Sequence, residues 1–142
     1  LRDASAMVSI STPFDYFILV IEPHAQVCEA LRTILDYWGF RVLAVSTIRE
    51  AEQQMRLCNF TPDAIFINIP LPYTNNDISF VMIVSKFLKS ENLSIPLIAT
   101  TVNADNQFCI IVEGKGWGYL LKPFSASAMF SVLMNISGWR AH

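Results

Sequence analysis

The sequence predicts an α/β fold in which a parallel sheet lies buried between two layers of helices, and three observations carry that prediction. Short unbroken apolar runs such as Phe17-Ile18-Leu19-Val20-Ile21 and Ala64-Ile65-Phe66-Ile67 have the length of strands and lack polar alternation, as strands covered on both faces require. Each run is followed by a segment whose apolar residues recur at helical spacing. The runs close on prolines or turn residues, which lack the N–H or the conformation that a continued ladder needs. Strand and helix alternate five times, and parallel strands need crossovers of helix length, so the pattern is a (βα)5 three-layer sandwich.

The elements follow in order. Tyr16 to Ile21 is the first strand, ending at Glu22-Pro23, where Pro23 or His24 begins a helix. Val27, Leu31, Ile34, Leu35 and Trp38 recur at helical spacing until Gly39, the stop. Arg41 to Val45 is a short second strand, and Thr47 caps a helix whose Ile48, Ala51, Met55 and Cys58 share a face, with Glu50 completing a capping box. Ala64 to Asn68 is the third strand, halted by Pro70 and Pro72. A polar loop through Tyr73-Thr74-Asn75-Asn76 leads into a helix from about Asp77 to Glu91. Ile95 to Thr101 makes the fourth strand, a helix near Asp105 to Glu113 precedes the break Gly114-Lys115-Gly116, and Trp117 to Leu121 is the fifth strand. Ser125 caps a last helix running to about Ser137.

Composition narrows the function classes. A chain of 142 residues has room for one core, which we place at 15–138 between tails at 1–14 and 139–142. Hydrophobic residues make up 53% of the chain, yet no run is long enough to span a bilayer, so the excess belongs to a core or a partner surface and no membrane insertion is expected. With a net charge of −2 and Lys and Arg scattered singly, nothing offers the basic stripe that direct nucleic-acid binding needs. Cys28, Cys58 and Cys109 lack metal or redox spacing and fall in apolar-periodic segments; they read as small buried hydrophobes in a reducing compartment, and a cytoplasmic address is expected.

The working edge of a parallel sheet lies at the carboxyl ends of its strands. The residues there are Glu22, Asn68, Thr101 and Lys122. The stretches LVIEP, the Asn68-x-x-x-Pro72 strand end, PLIATT and YLLKPF resemble, in order and spacing, the response-regulator receiver domain of two-component signalling over about residues 16 to 137. The resemblance implies a flavodoxin-like sheet of order 2-1-3-4-5. It also implies a site in which an acid pair after the first strand and an Asp after the third bind Mg²⁺, that Asp accepts a phosphoryl group, and a hydroxyl and a lysine hold the phosphoryl oxygens. Placed on this chain, Glu22 takes the first acid position and Pro23 the second. Asn68 stands at the phosphoacceptor, Thr101 and Lys122 match the phosphoryl-binding pair, and Tyr119 matches the switch aromatic.

Two departures change the chemistry. An amide carries no charge and is not the nucleophile a carboxylate is, so Asn68 keeps the acceptor's shape without its reactivity. Magnesium is recruited by carboxylates, and only Glu22 remains. Weak or absent Mg²⁺ binding and no other cofactor are therefore expected, with Glu22, Thr101 and Lys122 left as a hydrogen-bonded cluster in which Lys122 bonds Glu22 and the Asn68 carbonyl. Val102 replaces a small residue and is expected to narrow the path of Tyr119. Lys115 sits where the family places glycine, and Asn76 replaces a loop glycine.

Other signals weigh less. His24 beside the cleft reads as a solvent-facing helix start rather than a phosphoacceptor. Gly114-x-Gly116-x-Gly118 follows a helix and precedes a strand, the reverse of a dinucleotide loop. The turn Glu22-Pro23-His24-Ala25 lacks the Gly, Ser and Thr that would cradle a flavin phosphate. Phe108-Cys109-Ile110-Ile111-Val112 is apolar at five consecutive positions, where a helix on a sheet needs only a stripe, so at least two of these residues are expected to face away. Phe108, Ile110, Ile111 and Val112 are candidate interface residues, and Phe80 to Val84 shows a weaker version. The expectation is a non-enzymatic pseudo-receiver: a phosphorylation-independent interaction module that binds another protein, another domain of its parent or, through the fourth helix and fifth strand, a second copy. The alternatives are an atypical phosphoacceptor using Asp63 or Asp77, and a receiver-like small-molecule sensor.

Overall fold

The structure is a computed structural model and describes residues 16–69 and 79–135. Its strands are β1 (Phe17–Ile21), β2 (Arg41–Val45), β3 (Ala64–Asn68), β4 (Leu97–Thr101) and β5 (Gly118–Leu121), and its helices α1 (Ala25–Tyr37), α2 (Ile48–Cys58), α3 (Ser79–Ser90), α4 (Asn106–Gly114) and α5 (Ala126–Asn135). All strand pairs are parallel, in the order β2-β1-β3-β4-β5. The flavodoxin-like expectation holds. The expected tails, the loop through Asn76, and Pro70, Pro72 and Asp77 lie outside the described residues.

Side-chain alternation sends each central strand into two cores. Ile18 and Val20 pack with Leu31, Leu35 and Trp38 of the α1 segment and with Met129 and Leu133 of α5. Leu19 and Ile21 turn the other way, toward Ala51 and Met55 of α2, Val81, Val84 and Phe87 of α3, and Phe108 and Val112 of α4. Burial of β1, β3 and β4 on both faces explains why their sequences carry no polar alternation.

Local signals set the helix ends. Thr47 Oγ1 accepts from Glu50 N at 3.0 Å while Glu50 Oε1 accepts from Ser46 N at 2.7 Å, a close variant of the reciprocal box. Asp105 Oδ1 accepts from Phe108 N at 2.8 Å and Ser125 Oγ from Ala128 N at 3.0 Å, capping α4 and α5. After α1 the chain turns at Gly39 with φ of 96°, a conformation that favours glycine. At the amino edge of the sheet, Asp63 Oδ2 accepts from Phe17 N at 2.7 Å, the Phe17 ring stacks on Phe60 with centroids 4.1 Å apart, and the Arg41 guanidinium lies over the Phe17 ring, 4.9 Å from its centroid.

Three expectations are corrected here. Phe108 and Val112, offered as interface residues, are fully buried: residues four apart share a helix face, and that face is the one on the sheet. Ile111 is half-buried against the same core and Ile110 alone of the run is exposed, at 69%. The weaker-looking run on α3 leaves more in solvent, with Met82 and Ile83 both exposed. Cys58 is exposed, because it ends α2 just before Asn59 turns the chain at φ of 52°, while Cys28 and Cys109 are half-buried. Among the described residues no helix is long and apolar enough to cross a membrane.

Candidate functional site

The carboxyl ends of β1, β3, β4 and β5 bring the predicted residues to one edge. Glu22 directly follows β1, and its backbone N–H still bonds Val45 O of β2 at 2.9 Å. Asn68 closes β3 opposite Thr100 of β4, and Lys122 follows β5 with its N–H on Thr101 O at 2.6 Å. These backbone bonds fix where the three side chains begin, and the side chains then meet. Lys122 Nζ donates to Glu22 Oε1 at 2.7 Å and to Asn68 Oδ1 at 2.8 Å. An ammonium has only donors, so it fixes the amide with its oxygen inward. The second oxygen of Glu22 accepts from His24 N at 3.0 Å, tying the acid to the start of α1.

The carboxylate is 1% exposed and the lysine side chain 12% exposed, so this pair is withdrawn from water. A buried carboxylate needs both a counter-charge and filled hydrogen-bond sites, and Glu22 has both.

Thr101 is not part of this group. Its Oγ1 donates to Asn103 O and accepts from Asn103 N, each at 3.2 Å, so the hydroxyl serves the turn after β4. The expected cluster of Glu22, Thr101 and Lys122 is therefore corrected to Glu22, Asn68 and Lys122: an ammonium that already has two strong acceptors beside it leaves the hydroxyl to its own loop. Thr100, on the preceding position, carries a buried Oγ1 with no partner among the described residues. Pro23 is exposed and supplies no ligand atom, and His24 is an exposed N-cap residue whose side chain makes no cap bond. Asp63 lies at the opposite edge of the sheet, held to Phe17 N.

Tyr119 is half-buried on the α4 side of the sheet, its ring edge-on to Phe108 at 6.0 Å between centroids. Interaction with the neighbouring Cys109 sulfur raises its phenol above the usual tyrosine range, helped by burial. Val102, expected to crowd Tyr119, is exposed and instead lines a cavity beside Lys122. That cavity, between the start of α1 and the β5–α5 turn, has no counterpart in the sequence reading, since its walls are joined only by folding. Burial, and then the nearby Glu22 carboxylate, raise the thiol of Cys28 on α1. Among the described residues, no three His, Cys, Asp or Glu side chains converge where a metal ion could be held.

A five-stranded parallel sheet of this order with a lysine at the end of its last strand, facing the ends of the first and third, defines a two-component receiver architecture. The chain belongs to the response-regulator receiver family, whose profile, described as "Response regulator receiver domain", matches residues 18–134. Among individual proteins, it is similar to the sensor histidine kinase CheAY of Helicobacter pylori, with 28% identity over 126 residues. That match takes in 88% of this chain and 15% of the kinase, so the chain spans about a seventh of that relative's length. Among solved structures it is similar to the non-phosphorylated HemR receiver domain from Leptospira biflexa, at TM-score 0.69 and 25% identity, covering 90% of this chain and 99% of that one. A response regulator receiver protein from Burkholderia phymatum gives TM-score 0.69 at 21% identity, covering 89% and 98% of the two chains, a likeness of fold.

Proposed function

We propose that this receiver domain is a degenerate one, which signals by protein contact without accepting a phosphoryl group. The observation that carries the proposal is the bond from Lys122 Nζ to Asn68 Oδ1 at 2.8 Å, made while the same ammonium holds Glu22. The position from which a receiver carboxylate attacks is taken by an amide whose oxygen is engaged, and amides are poor nucleophiles toward phosphorus. The donor set also does not fit Mg²⁺: one carboxylate remains, and both its oxygens are committed to N–H donors. Asp63, at the far edge of the sheet, does not rescue the chemistry.

The module is accordingly non-enzymatic, with another protein, another domain of its parent or a second copy as its partner. The exposed Met82, Ile83 and Ile110 on α3 and α4 supply apolar contact area for such a partner. The test is incubation with acetyl phosphate and Mg²⁺ followed by intact-mass measurement. The mass is expected to stay unchanged, and an acid-stable, base-labile adduct of one phosphoryl group would end the proposal.

A further inference from the structure

We propose that the cavity between α1 and the β5–α5 turn binds a small, uncharged, largely apolar molecule carrying a carbonyl at one end. The cavity measures about 500 Å³, within the roughly 300–1,000 Å³ range typical of small-molecule sites. Val27, Leu31 and Ile34 of α1 form one wall, and Phe124 and Met129 another. These walls recognise an apolar body, and His24 and Gln26 at the start of α1 are the polar side chains of the lining besides Lys122.

Lys122 lines the cavity as well. An ammonium carries three donors, and among the described residues two acceptors hold this one, Glu22 and Asn68. The remaining donor suits an acceptor oxygen on a ligand. The charge of that oxygen follows from Glu22. Lys122 is the one side chain of the lining with a permanent charge, and the buried carboxylate already balances it. An anionic head would place a second negative charge beside Glu22 with no further permanent cation in the lining, in a setting where charges are poorly screened. A carbonyl accepts the same bond without that repulsion. Phosphate is disfavoured for the same reason.

A ligand held this way touches the ion pair on one side and α1 and α5 on the other, giving the domain an input that needs no phosphorylation. The proposal extends the phosphorylation-independent function by naming an input. Its test reads binding and not phosphoryl transfer, so either can fail alone.

The test uses three naphthalene probes of similar size on the whole chain, followed by backbone amide NMR: 2-acetonaphthone, 2-naphthoate and 2-ethylnaphthalene. The ketone is expected to produce saturable shifts at Val27, Leu31 and Phe124 with a dissociation constant of about 0.1–1 mM. The carboxylate and the hydrocarbon are each expected to bind at least tenfold more weakly. Ala30→Trp fills the mouth of the cavity from an exposed α1 position, so it is expected to keep the fold, checked by its melting temperature, while abolishing the shifts. The proposal is overturned if the ketone gives no saturable shift, which would leave the groove to a protein side chain. It is overturned equally if the shifts survive in folded Ala30→Trp, or if the carboxylate or the hydrocarbon binds as well as the ketone.

Discussion

The Tyr119 ring stands at 89° to the ring of Phe108, 6.0 Å between centroids, with Cys109 of the same helix beside its phenol. The aromatic at the family's switch position is thus docked on α4, and its phenol is held protonated above the ordinary tyrosine range. An ultraviolet alkaline titration, taken as the difference from Tyr119→Phe, is expected to show Tyr119 ionising later than free tyrosine. Cys109→Ala is expected to bring it back toward about 10. The folded value is raised, so the associated stability is complete below the unfolded tyrosine value and is lost as pH rises through the folded one. A Tyr119 that ionises with the free residue would show that Cys109 does not act on it.

Removing the ammonium tests whether Lys122 is structural. Lys122→Ala leaves Glu22 buried without its counter-charge and is expected to cost about 1–3 kcal/mol in urea unfolding. Adding Glu22→Gln to that variant is expected to recover part of the loss. An unchanged urea midpoint for Lys122→Ala would show the lysine to be dispensable to the fold.

Restoring acids separates the two deficits of the site. Asn68→Asp alone is expected to give weak labelling by acetyl phosphate, since Pro23 still withholds the second acid. Asn68→Asp with Pro23→Asp is expected to label more, and only in Mg²⁺. Equal labelling of the single and double variants would mean that metal recruitment is not limiting.

The apolar run of α4 splits by face. Val112→Asp places a carboxylate in the core at a fully buried position and is expected to unfold the domain, a loss above about 3 kcal/mol. Ile110→Asp, at a position 69% exposed, is expected to leave the melting temperature nearly unchanged and to weaken self-association in sedimentation. If the unmodified chain sediments as a monomer at high concentration, α4 is not a homodimer surface.

Thiol labelling ranks the cysteines. Exposed Cys58 is expected to react first with iodoacetamide at pH 8. Cys28, whose thiol is held protonated by burial and by Glu22, is expected to lag by about tenfold. Peptide mass spectrometry reads the order directly, and simultaneous labelling would argue against the burial of Cys28.

Much of this was legible because the signals are local. An apolar run with no alternation reports burial on both faces, so β1, β3 and β4 could be read residue by residue, and Thr47 with Glu50 announces a helix start within four residues. The bonds from Lys122 to Glu22 and Asn68 followed from the receiver-like placement of the three at one sheet edge, where a lone acid and an amide oxygen are the acceptors a lysine meets. Phe108 to Val112 was misjudged because a run that is apolar at every position has no phase: nothing in it distinguishes Ile110 from Val112. Thr101 was misplaced because its partner, Asn103, belongs to a turn without sequence signature. The cavity could not be read at all, its walls coming from segments about a hundred residues apart.

That distance has a consequence for how the domain comes apart. Lys122 and Glu22 are separated by 100 residues and follow strands that are not neighbours in the sheet, with β3 and β4 between them. A side-chain tie over that span couples the first strand to the last, where the ladder alone would let the terminal strand peel off. Amide hydrogens of β5 are therefore drawn toward the exchange rates of β1 and β3, and one cooperative opening replaces fraying from the β5 edge. The lysine thus ties the β5 edge of the sheet back to its middle.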